Sequence, residues 1–279
     1  MMRDFTDRVA VVTGAGSGLG RALAVELAAR GARLALSDVD DEGLWETVRR
    51  CAAAGRGARG YRLDVTDRAA VLAHAERVDA DFGRVDLVVN NAGVTLLASV
   101  TDGAWEDLEW VMNVDFWGVV HGTRAFLPLL TASHGHLVNV SSVLGLAGAP
   151  MQSGYNAAKF AVRGFTEAVT QELRADGVPV GVSCVYPGLI RTNILRNARN
   201  DGLRDYQAVR EGFERSVTLT PEHAARTILR GVARNRTRIL IGADAYRTDF
   251  LTRLLGPWYP RAVSGRSRRP VTSPGHHPR

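Results

Sequence analysis

Lysine is nearly absent from this sequence. Of the 35 Lys and Arg residues only Lys159 is a lysine, so the other 34 are arginines. Arginine carries a rigid planar fork, whereas lysine is a compact point charge on a flexible stem, and the two do not substitute for one another where a small cation is needed. The single lysine therefore marks a candidate functional position, against the alternative of a stray residue on a solvated helix face.

Cysteines and long apolar runs are also scarce. The two cysteines, Cys51 and Cys184, match no metal-ligand spacing and are too few for a disulfide framework, which favours a reducing, cytoplasmic setting. Cys184 lies in the apolar run VGVSCVYPG and is expected to be a core thiol. No run reaches the roughly 18 apolar residues of a spanning helix. Because Asp4 and Asp7 interrupt the N-terminus, no signal peptide is expected.

Acidic residues are missing from the C-terminal tail, residues 261–279. The tail holds five arginines, which account for most of the formal charge of +6: Arg261, Arg266, Arg268, Arg269 and Arg279. The rest of the chain is close to neutral, so the pI near 9.9 does not indicate a nucleic-acid-binding protein. The tail is rich in Pro, Gly and Ser and is expected to be disordered, although a weak phosphate-binding arm stays possible.

A glycine-rich turn follows the first predicted strand, RVAVVT. Gly14, Gly18 and Gly20 stand in a G-x-x-x-G-x-G pattern between that strand and a helix, where glycine permits a tight turn and the helix N-terminus faces an anion. The next strand, RLALSD, ends at Asp38, about 20 residues on, which suits an acceptor for adenosine ribose hydroxyls. A carboxylate there repels a 2′-phosphate and favours NAD over NADP, although Arg21 and Arg33 keep NADP open.

The segment SVLGLAGAPMQSGYNAAK (142–159) carries the candidate chemistry. If YNAAK is helical, Tyr155 and Lys159 lie one turn apart on one face. An ammonium beside a phenol favours the phenolate and is expected to lower the tyrosine pKa toward neutrality. Such a phenol can exchange a proton with an alcohol or a carbonyl.

The rest of the chain to about residue 260 alternates apolar strands with helical patterns. Helices are predicted at 41–54, 67–82, roughly 103–131 and from Tyr155 to about Arg174, between strands that include GYRLDV, VDLVVNNAG and HLVNVSS. This rhythm is typical of an α/β fold: a single Rossmann-type, doubly wound parallel sheet with helices on both faces. One domain over residues 1–260 is expected. Asp64 and Val65, at the end of GYRLDV, are candidates to touch the adenine.

Together these features resemble the short-chain dehydrogenase/reductase family, a group of NAD(P)-dependent oxidoreductases. The resemblance covers residues ~5–195 in the family's order and spacing, with no motif broken. It rests on TGAGSGLG (13–20), Asp38, Asp64-Val65, NNAG (90–93), Asn113, Ser142, YNAAK (155–159) and YPGLIRT (186–192).

The resemblance implies roles for individual residues. Tyr155 would be the acid/base, Lys159 would lower its pKa and bind the nicotinamide ribose, and Ser142 would bond the substrate oxygen. Asn113, on its own an ordinary mid-helix residue, would hold a water in a proton relay behind Lys159. The cofactor-binding set would be Gly14, Ser17, Gly18, Leu19, Gly20, Asp38, Asp64, Val65, Asn90, Ala92, Gly93, Tyr155, Lys159, Pro187, Gly188, Ile190 and Thr192. Asn90 would lie near the adenosine ribose. No metal is expected.

The expected reaction is hydride transfer between NAD and a secondary alcohol or ketone. A lid over about 193–220 is implied by the family. Its apolar members, with Val143, Leu144, Leu146 and Met151, suggest a hydrophobic substrate: Ile194, Leu195, Leu203, Tyr206 and Phe213. Those side chains could instead only pack the lid, and an acidic substrate bound by Arg191, Arg196 and Arg199 stays open.

Several rival functions and partners are kept open. They are an NADP-dependent carbonyl reductase, a non-catalytic redox sensor of the same fold, and an epimerase or dehydratase. A homodimer or homotetramer is expected through the helices at 103–131 and 153–174. An apolar stripe in residues 244–259 is interpreted as packing on the body or on another subunit, with membrane contact less favoured.

Overall fold

The apolar runs form parallel strands, as predicted. The computed structural model describes residues 4–260 without 56, 102, 193, 195–197, 201–206, 208–210, 213, 214, 216 and 218. The strands of the large sheet are β1 (Val9–Thr13), β2 (Arg33–Asp38), β3 (Ala58–Arg62), β4 (Leu87–Asn90), β6 (His136–Val140), β7 (Gly181–Pro187) and β9 (Arg238–Ile241), and a separate pair is formed by β5 (Leu96–Leu97) and β8 (Arg199–Asn200).

Neighbouring strands of the large sheet are all parallel, in the order β3-β2-β1-β4-β6-β7-β9. The order reverses between β1 and β4, so their carboxyl ends open a crevice of the kind in which doubly wound proteins bind nucleotides. The predicted fold class is therefore confirmed. The helices are α1 (Gly18–Ala29), α2 (Asp41–Ala54), α3 (Arg68–Phe82), α4 (Trp105–Met112), α5 (Gly118–Ser133), α6 (Ser153–Ala175), α7 (Pro221–Ala233) and α8 (Ala243–Leu255).

The two faces of the sheet carry separate apolar cores. Ala10 and Val12 of β1 pack with α1, α2 and α7, while Val11, between them, packs with α3, α5 and α6. Alternate residues of a strand point to opposite faces, so a strand covered on both sides is buried along its length. On α1, Leu23 and Leu27 are one turn apart and fully buried, and each stabilises the fold by roughly 2 kcal/mol.

The predicted single helix over about 103–131 is interrupted. Residues Asn113–Trp117 form a π-helical turn between α4 and α5, in which the Gly118 N–H donates to the Asn113 carbonyl five residues back. A π turn accommodates one extra residue and rotates the side chains that follow it, and it often marks a functional site. Apolar periodicity averaged over a long helix does not reveal such a turn, so the sequence predicted a continuous helix.

The apolar stripe of residues 244–259 is exposed. Its helix is α8, and on it Tyr246, Phe250 and Leu254 are 55%, 63% and 66% exposed. The interpretation that the stripe packs on the body is therefore wrong for these three side chains, and contact with another subunit stays a prediction. Within the described ranges, no helix combines the length and apolarity needed to cross a bilayer. The basic tail lies outside those ranges.

Asp86, directly before β4, links that strand to β1 and β6 by hydrogen bonds at the edge of the sheet opposite the crevice. Its side chain is 1% exposed and accepts hydrogen bonds from the Val9 N–H (3.0 Å) and the guanidinium groups of Arg8 (2.9 Å) and Arg84. Its carbonyl accepts from the His136 N–H at 2.8 Å. Burial alone would raise the pKa of Asp86, but these donors outweigh it and hold the pKa below the usual value.

We expect Asp86→Ala to lower the free energy of unfolding by about 2 kcal/mol at pH 7, because a buried N–H and two cations lose their acceptor. Since the folded-state pKa is depressed, the contribution is present above about pH 4 and is lost as the pH falls through the folded value. Urea titration at pH 7 and pH 3 measures both effects. The control Glu46→Ala removes a partly exposed carboxylate that also pairs with two arginines. An equal loss of unfolding free energy in both variants would contradict the expectation.

Candidate active site

A cleft of about 610 Å³ opens at the carboxyl ends of β1, β2, β4, β6 and β7. It extends from Asp38 at one end to the Ser142–Tyr155 region at the other. Of the predicted site residues, those that line the cleft are Gly14, Ser17, Gly18, Leu19, Gly20, Asp38, Asp64, Val65, Ala92, Gly93, Ser142, Tyr155, Lys159, Pro187, Gly188, Ile190 and Thr192. Asn90 and Asn113 do not.

The glycine turn lies against the cleft wall at van der Waals distance. Gly14 has φ +65°, and a Cβ there would lie 2.7 Å from the Ala92 Cα; Gly18 has φ +50°, and a Cβ there would lie 3.2 Å from the Thr192 Cβ. Both positions require glycine, for conformation and for space. Ser17 begins α1 without a capping bond from its side chain. The first-turn N–H groups therefore remain available to an anion in the cleft.

Asp38 is held at one end of the cleft by backbone donors. Its Oδ2 accepts from the Gly16 N–H at 2.7 Å and its Oδ1 from the Asp40 N–H at 3.0 Å. Arg21 and Arg33, the cations that left NADP binding possible, do not line the cleft. The Arg21 guanidinium donates to Thr47 and to the carbonyls of Gly16 and Gly43, and Arg33 stacks on the Phe82 ring.

The expectation that Asn90 lies near the adenosine ribose needs correction, because Asn90 does not line the cleft. Asn90 is buried beneath the cleft, where its amide donates to Asn139 at 2.9 Å and to Thr123 at 3.2 Å. The next residue, Asn91, lines the cleft, and its amide donates to the carbonyls of Thr13 and Gly14. Successive strand residues face opposite ways, so the sequence pair NN does not show which asparagine reaches the ligand.

Ser142, Tyr155 and Lys159 meet at the other end of the cleft, as predicted. Ser142 follows β6, and its hydroxyl accepts from the Leu144 N–H at 3.1 Å. Tyr155 and Lys159 are one turn apart on α6, with the ammonium 5.6 Å from the phenol ring centroid. The ammonium also donates to the Val140 carbonyl at 3.3 Å.

The pKa of Tyr155 departs from the prediction. Burial raises it above the ordinary value, and the Asp115 charge adds to that; the Lys159 charge and a hydrogen bond with Ser142 act in the opposite direction. Lys159 therefore has the predicted influence on the phenol, but the net direction is upward because the phenol is fully buried and a carboxylate lies nearby. The sequence did not reveal either of those two causes.

Asn113 does not stand behind Lys159. Its side chain is exposed at the start of the π turn, whereas Asp115, two positions later, is completely buried with Oδ2 3.0 Å from the Lys159 Nζ. Residues two apart on a helix do not share a face, so the prediction for Asn113 is wrong. Asp115 was missed because an isolated acid in NVDFW carries no sequence signal until Lys159 is placed beside it.

The loop after β7 forms the wall opposite the glycine turn. The Asp244 carboxylate, at the start of α8, accepts from the Leu189 N–H at 2.7 Å, and the Arg191 N–H donates to the Leu219 carbonyl at 3.0 Å. These bonds fix the segment that carries Ile190 and Thr192 into the cleft. Asp244 was also missed, since it lies 55 residues from its partner.

The region beside Ser142 and Tyr155 is largely apolar. It is lined by Leu97, Trp110, Val114, Val143, Leu144, Leu189 and Ile194, with Thr95 and Gln152. Leu146 is buried in a separate cluster, and Met151 does not line the cleft. The predicted lid residues Leu195, Leu203, Tyr206 and Phe213 lie outside the described residues, as does Arg196.

The described arginines of the acidic-substrate alternative have partners other than a ligand in the cleft. Arg199 stacks on the Trp110 ring at 4.0 Å and pairs with Asp107 at 2.7 Å, and Arg191 donates to the Val217 carbonyl. Neither lines the cleft. Trp110 itself was not predicted as a site residue, and its place follows from the path of α4 past β5.

Comparison with known proteins identifies the family. Residues 8–202 match the family described as short chain dehydrogenase. The chain is 51% identical over 265 residues to SadH of Mycobacterium tuberculosis, a protein described as an oxidoreductase, covering 94% of this chain and 96% of that one. It is 29% identical to human estradiol 17-beta-dehydrogenase 11, covering 91% of this chain and 81% of the human protein.

Solved structures agree with the sequence relatives. A short chain dehydrogenase/reductase from Burkholderia phymatum, determined in complex with NAD, superposes with a TM-score of 0.82 at 33% identity and covers 98% of this chain and 99% of its own. Levodione reductase superposes with a TM-score of 0.77 at 28% identity, covering 88% of this chain and 98% of its own. The chain is a member of the short-chain dehydrogenase/reductase family of oxidoreductases.

Proposed function

We propose that this protein is an NAD-dependent dehydrogenase that interconverts a hydrophobic secondary alcohol and its ketone. One observation carries the proposal. The turn suited to a dinucleotide and the group Ser142, Tyr155 and Lys159 lie in one continuous cleft. A cofactor seated at Asp38 and extending along the cleft would end beside the phenol.

The residues present fit a dinucleotide. Gly14 and Gly18 leave no room for a side chain where the pyrophosphate would approach the turn, and the first turn of α1 offers uncapped N–H donors. Asp38 would accept the adenosine ribose hydroxyls, and Lys159 would hold the nicotinamide ribose. Thr192 and the Ile190 backbone would hold the carboxamide. The bound cofactor supplies the hydride.

The chain itself positions the substrate and moves the proton. In reduction, the Ser142 hydroxyl donates to the carbonyl oxygen, and Tyr155 Oη passes its proton to that same oxygen as negative charge develops there. In oxidation the phenolate takes the alcohol proton. Lys159 stabilises the phenolate, since an adjacent ammonium favours the charged form.

The apolar lining of the cleft supports a hydrophobic substrate. Apolar side chains from β5, α4 and the segment after Ser142 surround the space above the phenol, and the described cations near the lid are engaged elsewhere. An apolar steroid-like, terpenoid or aliphatic alcohol suits that space better than a carboxylated one. The proposal also includes an oligomer formed through α4, α5 and α6. It further includes a cytoplasmic location.

We expect NADH to bind at least tenfold more tightly than NADPH, because the Asp38 carboxylate accepts ribose hydroxyls and repels a phosphate. Asp38→Ser should weaken NADH binding roughly tenfold, which corresponds to the loss of about one charge-assisted hydrogen bond. The same substitution should reduce the ratio of NADH affinity to NADPH affinity. Fluorescence titration of the nucleotides measures both effects. Asp41→Ser changes an exposed acid outside the cleft lining and serves as the control. Tighter NADPH binding by the unaltered protein would refute the cofactor assignment.

Tyr155→Phe should lower kcat by about 100-fold or more, since it removes the proton donor without emptying the cleft. NADH affinity should stay within about threefold. Steady-state assays and nucleotide titration separate the two quantities. The matched control is Tyr61→Phe, which removes a phenol that donates to Asp81 at 2.7 Å outside the cleft. Hydride transfer at the unaltered rate in Tyr155→Phe would exclude the mechanism.

A panel of secondary alcohols tests the substrate class. With NAD present and at alkaline pH, where the phenolate can form, we expect kcat/KM to rise with apolar surface among steroid-like, terpenoid and aliphatic alcohols, and to fall at least tenfold when a carboxylate is added to the buried end. NADH absorbance follows the reaction. Activity confined to carboxylated compounds would contradict the hydrophobic assignment. No hydride transfer to any member, with NAD bound, would favour the redox-sensor alternative.

A further inference from the structure

The single lysine of the chain is paired with a buried carboxylate. The Lys159 and Asp115 side chains are 4% and 0% exposed, and Lys159 Nζ lies 3.0 Å from Asp115 Oδ2. The other carboxylate oxygen, Oδ1, accepts from the Val94 N–H at 2.7 Å. One carboxylate oxygen of Asp115 is thus fixed by a hydrogen bond from the backbone, and the other forms an ion pair with the ammonium.

Two features of the backbone make room for this pair. The π turn directs residue 115 inward between α4 and α5. Gly93 provides the space, since a Cβ there would lie 3.3 Å from Lys159 Nζ and 3.4 Å from Asp115 Oδ1. Where the family resemblance implied a neutral amide behind the lysine, this chain has a negative charge in direct contact with it.

We propose that Asp115 is a positioning residue that holds the Lys159 ammonium and offsets its positive charge at Tyr155, which keeps the phenol protonated at neutral pH. The site then presents a proton donor, as reduction of a carbonyl requires, and works in oxidation only at more alkaline pH. The inference rests on the proposed function for this catalytic consequence. The state of the phenol itself does not depend on turnover.

The groups that face this trio come from four directions. The π turn supplies Asp115, and α6 supplies Tyr155 and Lys159. The β6 end contributes the neutral Ser142 hydroxyl and the Val140 carbonyl. From β7 comes Cys184, whose pKa is raised by burial to about 11, so the thiol is neutral near pH 7. Of the described residues, Asp115 is therefore the one that brings a negative charge to Tyr155 at neutral pH.

The directions of the pKa shifts agree with this geometry. Burial is the largest single influence and works against the Lys159 ammonium, but Asp115, Tyr155 and Cys184 together outweigh it and the pKa of Lys159 is raised. The pKa of Asp115 is raised above its ordinary value, because burial outweighs the ammonium and the Val94 N–H, which lower it. The Val94 N–H, which donates to Asp115 at 2.7 Å, and the ammonium, which forms an ion pair with it at 3.0 Å, both favour the ionised carboxylate. For Tyr155, burial and the Asp115 charge raise the pKa against Lys159.

The test titrates Tyr155 directly in the protein without nucleotide. Tyrosine labelled with ¹³C at Cζ gives resonances for the six tyrosines, and Tyr155→Phe assigns one of them. In the unaltered protein this resonance should titrate above about pH 10, the ordinary tyrosine value. In Asp115→Asn it should titrate at distinctly lower pH, because one negative charge has been removed while Lys159 remains.

Asn113→Asp is the matched control, because it adds a carboxylate two positions away on the exposed side of the same turn. It should leave the Tyr155 titration unchanged. If Asp115→Asn does not fold, as judged by circular dichroism, Asp115→Ser replaces it. Titration below pH 10 in the unaltered protein, or an unchanged or higher titration in a folded Asp115 variant, overturns the proposal.

Turnover gives a second readout. With saturating NAD, the midpoint of the acid limb of kcat/KM for alcohol oxidation should move to lower pH in Asp115→Asn, whatever its plateau. A purely structural role for Asp115 would lower the plateau without moving the midpoint, and that result contradicts the proposal. An inactive unaltered enzyme would refute the proposed function and leave the phenol titration to decide this inference.

Discussion

The ammonium of Lys159 is the constraint around which the catalytic end of the cleft is built. It is buried and therefore requires partners: the carboxylate of Asp115, the carbonyl of Val140 and the nearby phenol of Tyr155. An unpaired ammonium would be too costly to bury in this site. The π turn, the missing side chain at Gly93 and the one-turn spacing on α6 all serve to satisfy that charge where the nucleotide cleft ends.

The fold was predictable because its signals are local and repeated. Apolar strands alternating with helical patterns indicate a parallel sheet covered on both faces, and the observed sheet has that form. The helix at Asp41–Ala54 and the strand at Arg33–Asp38 coincide with their predicted bounds. Most of the residues that line the cleft were predictable because their signals also lie in sequence spacing. These signals are glycines that permit close approach, an acid at the end of a strand, and a tyrosine and a lysine four residues apart.

The predictions that the structure corrected concern features that depend on contacts between distant segments of the chain. Asn113 and Asp115 lie on different faces of the π turn, and the periodicity of the sequence does not show which of the two faces inward. Asn91 lines the cleft in place of the predicted Asn90, and the sequence does not show which of two successive residues at a strand end faces the cleft. The net direction of the Tyr155 pKa depends on burial and on the Asp115 charge, neither of which adjoins Tyr155 in the chain. The spacing of residues thus identified the candidate reacting groups. The net direction of the Tyr155 pKa could be known only once the fold placed Asp115 and Lys159 around the phenol.

The central claim is that one cleft aligns a nicotinamide cofactor with the phenol of Tyr155. The most direct measurement is a crystal structure of the protein soaked with NAD and a hydrophobic secondary alcohol. The account predicts the adenosine ribose at Asp38 and the nicotinamide at the Ser142–Tyr155 end, with the alcohol oxygen between those two hydroxyls. A nucleotide bound in the reverse orientation, or outside this cleft, would contradict it.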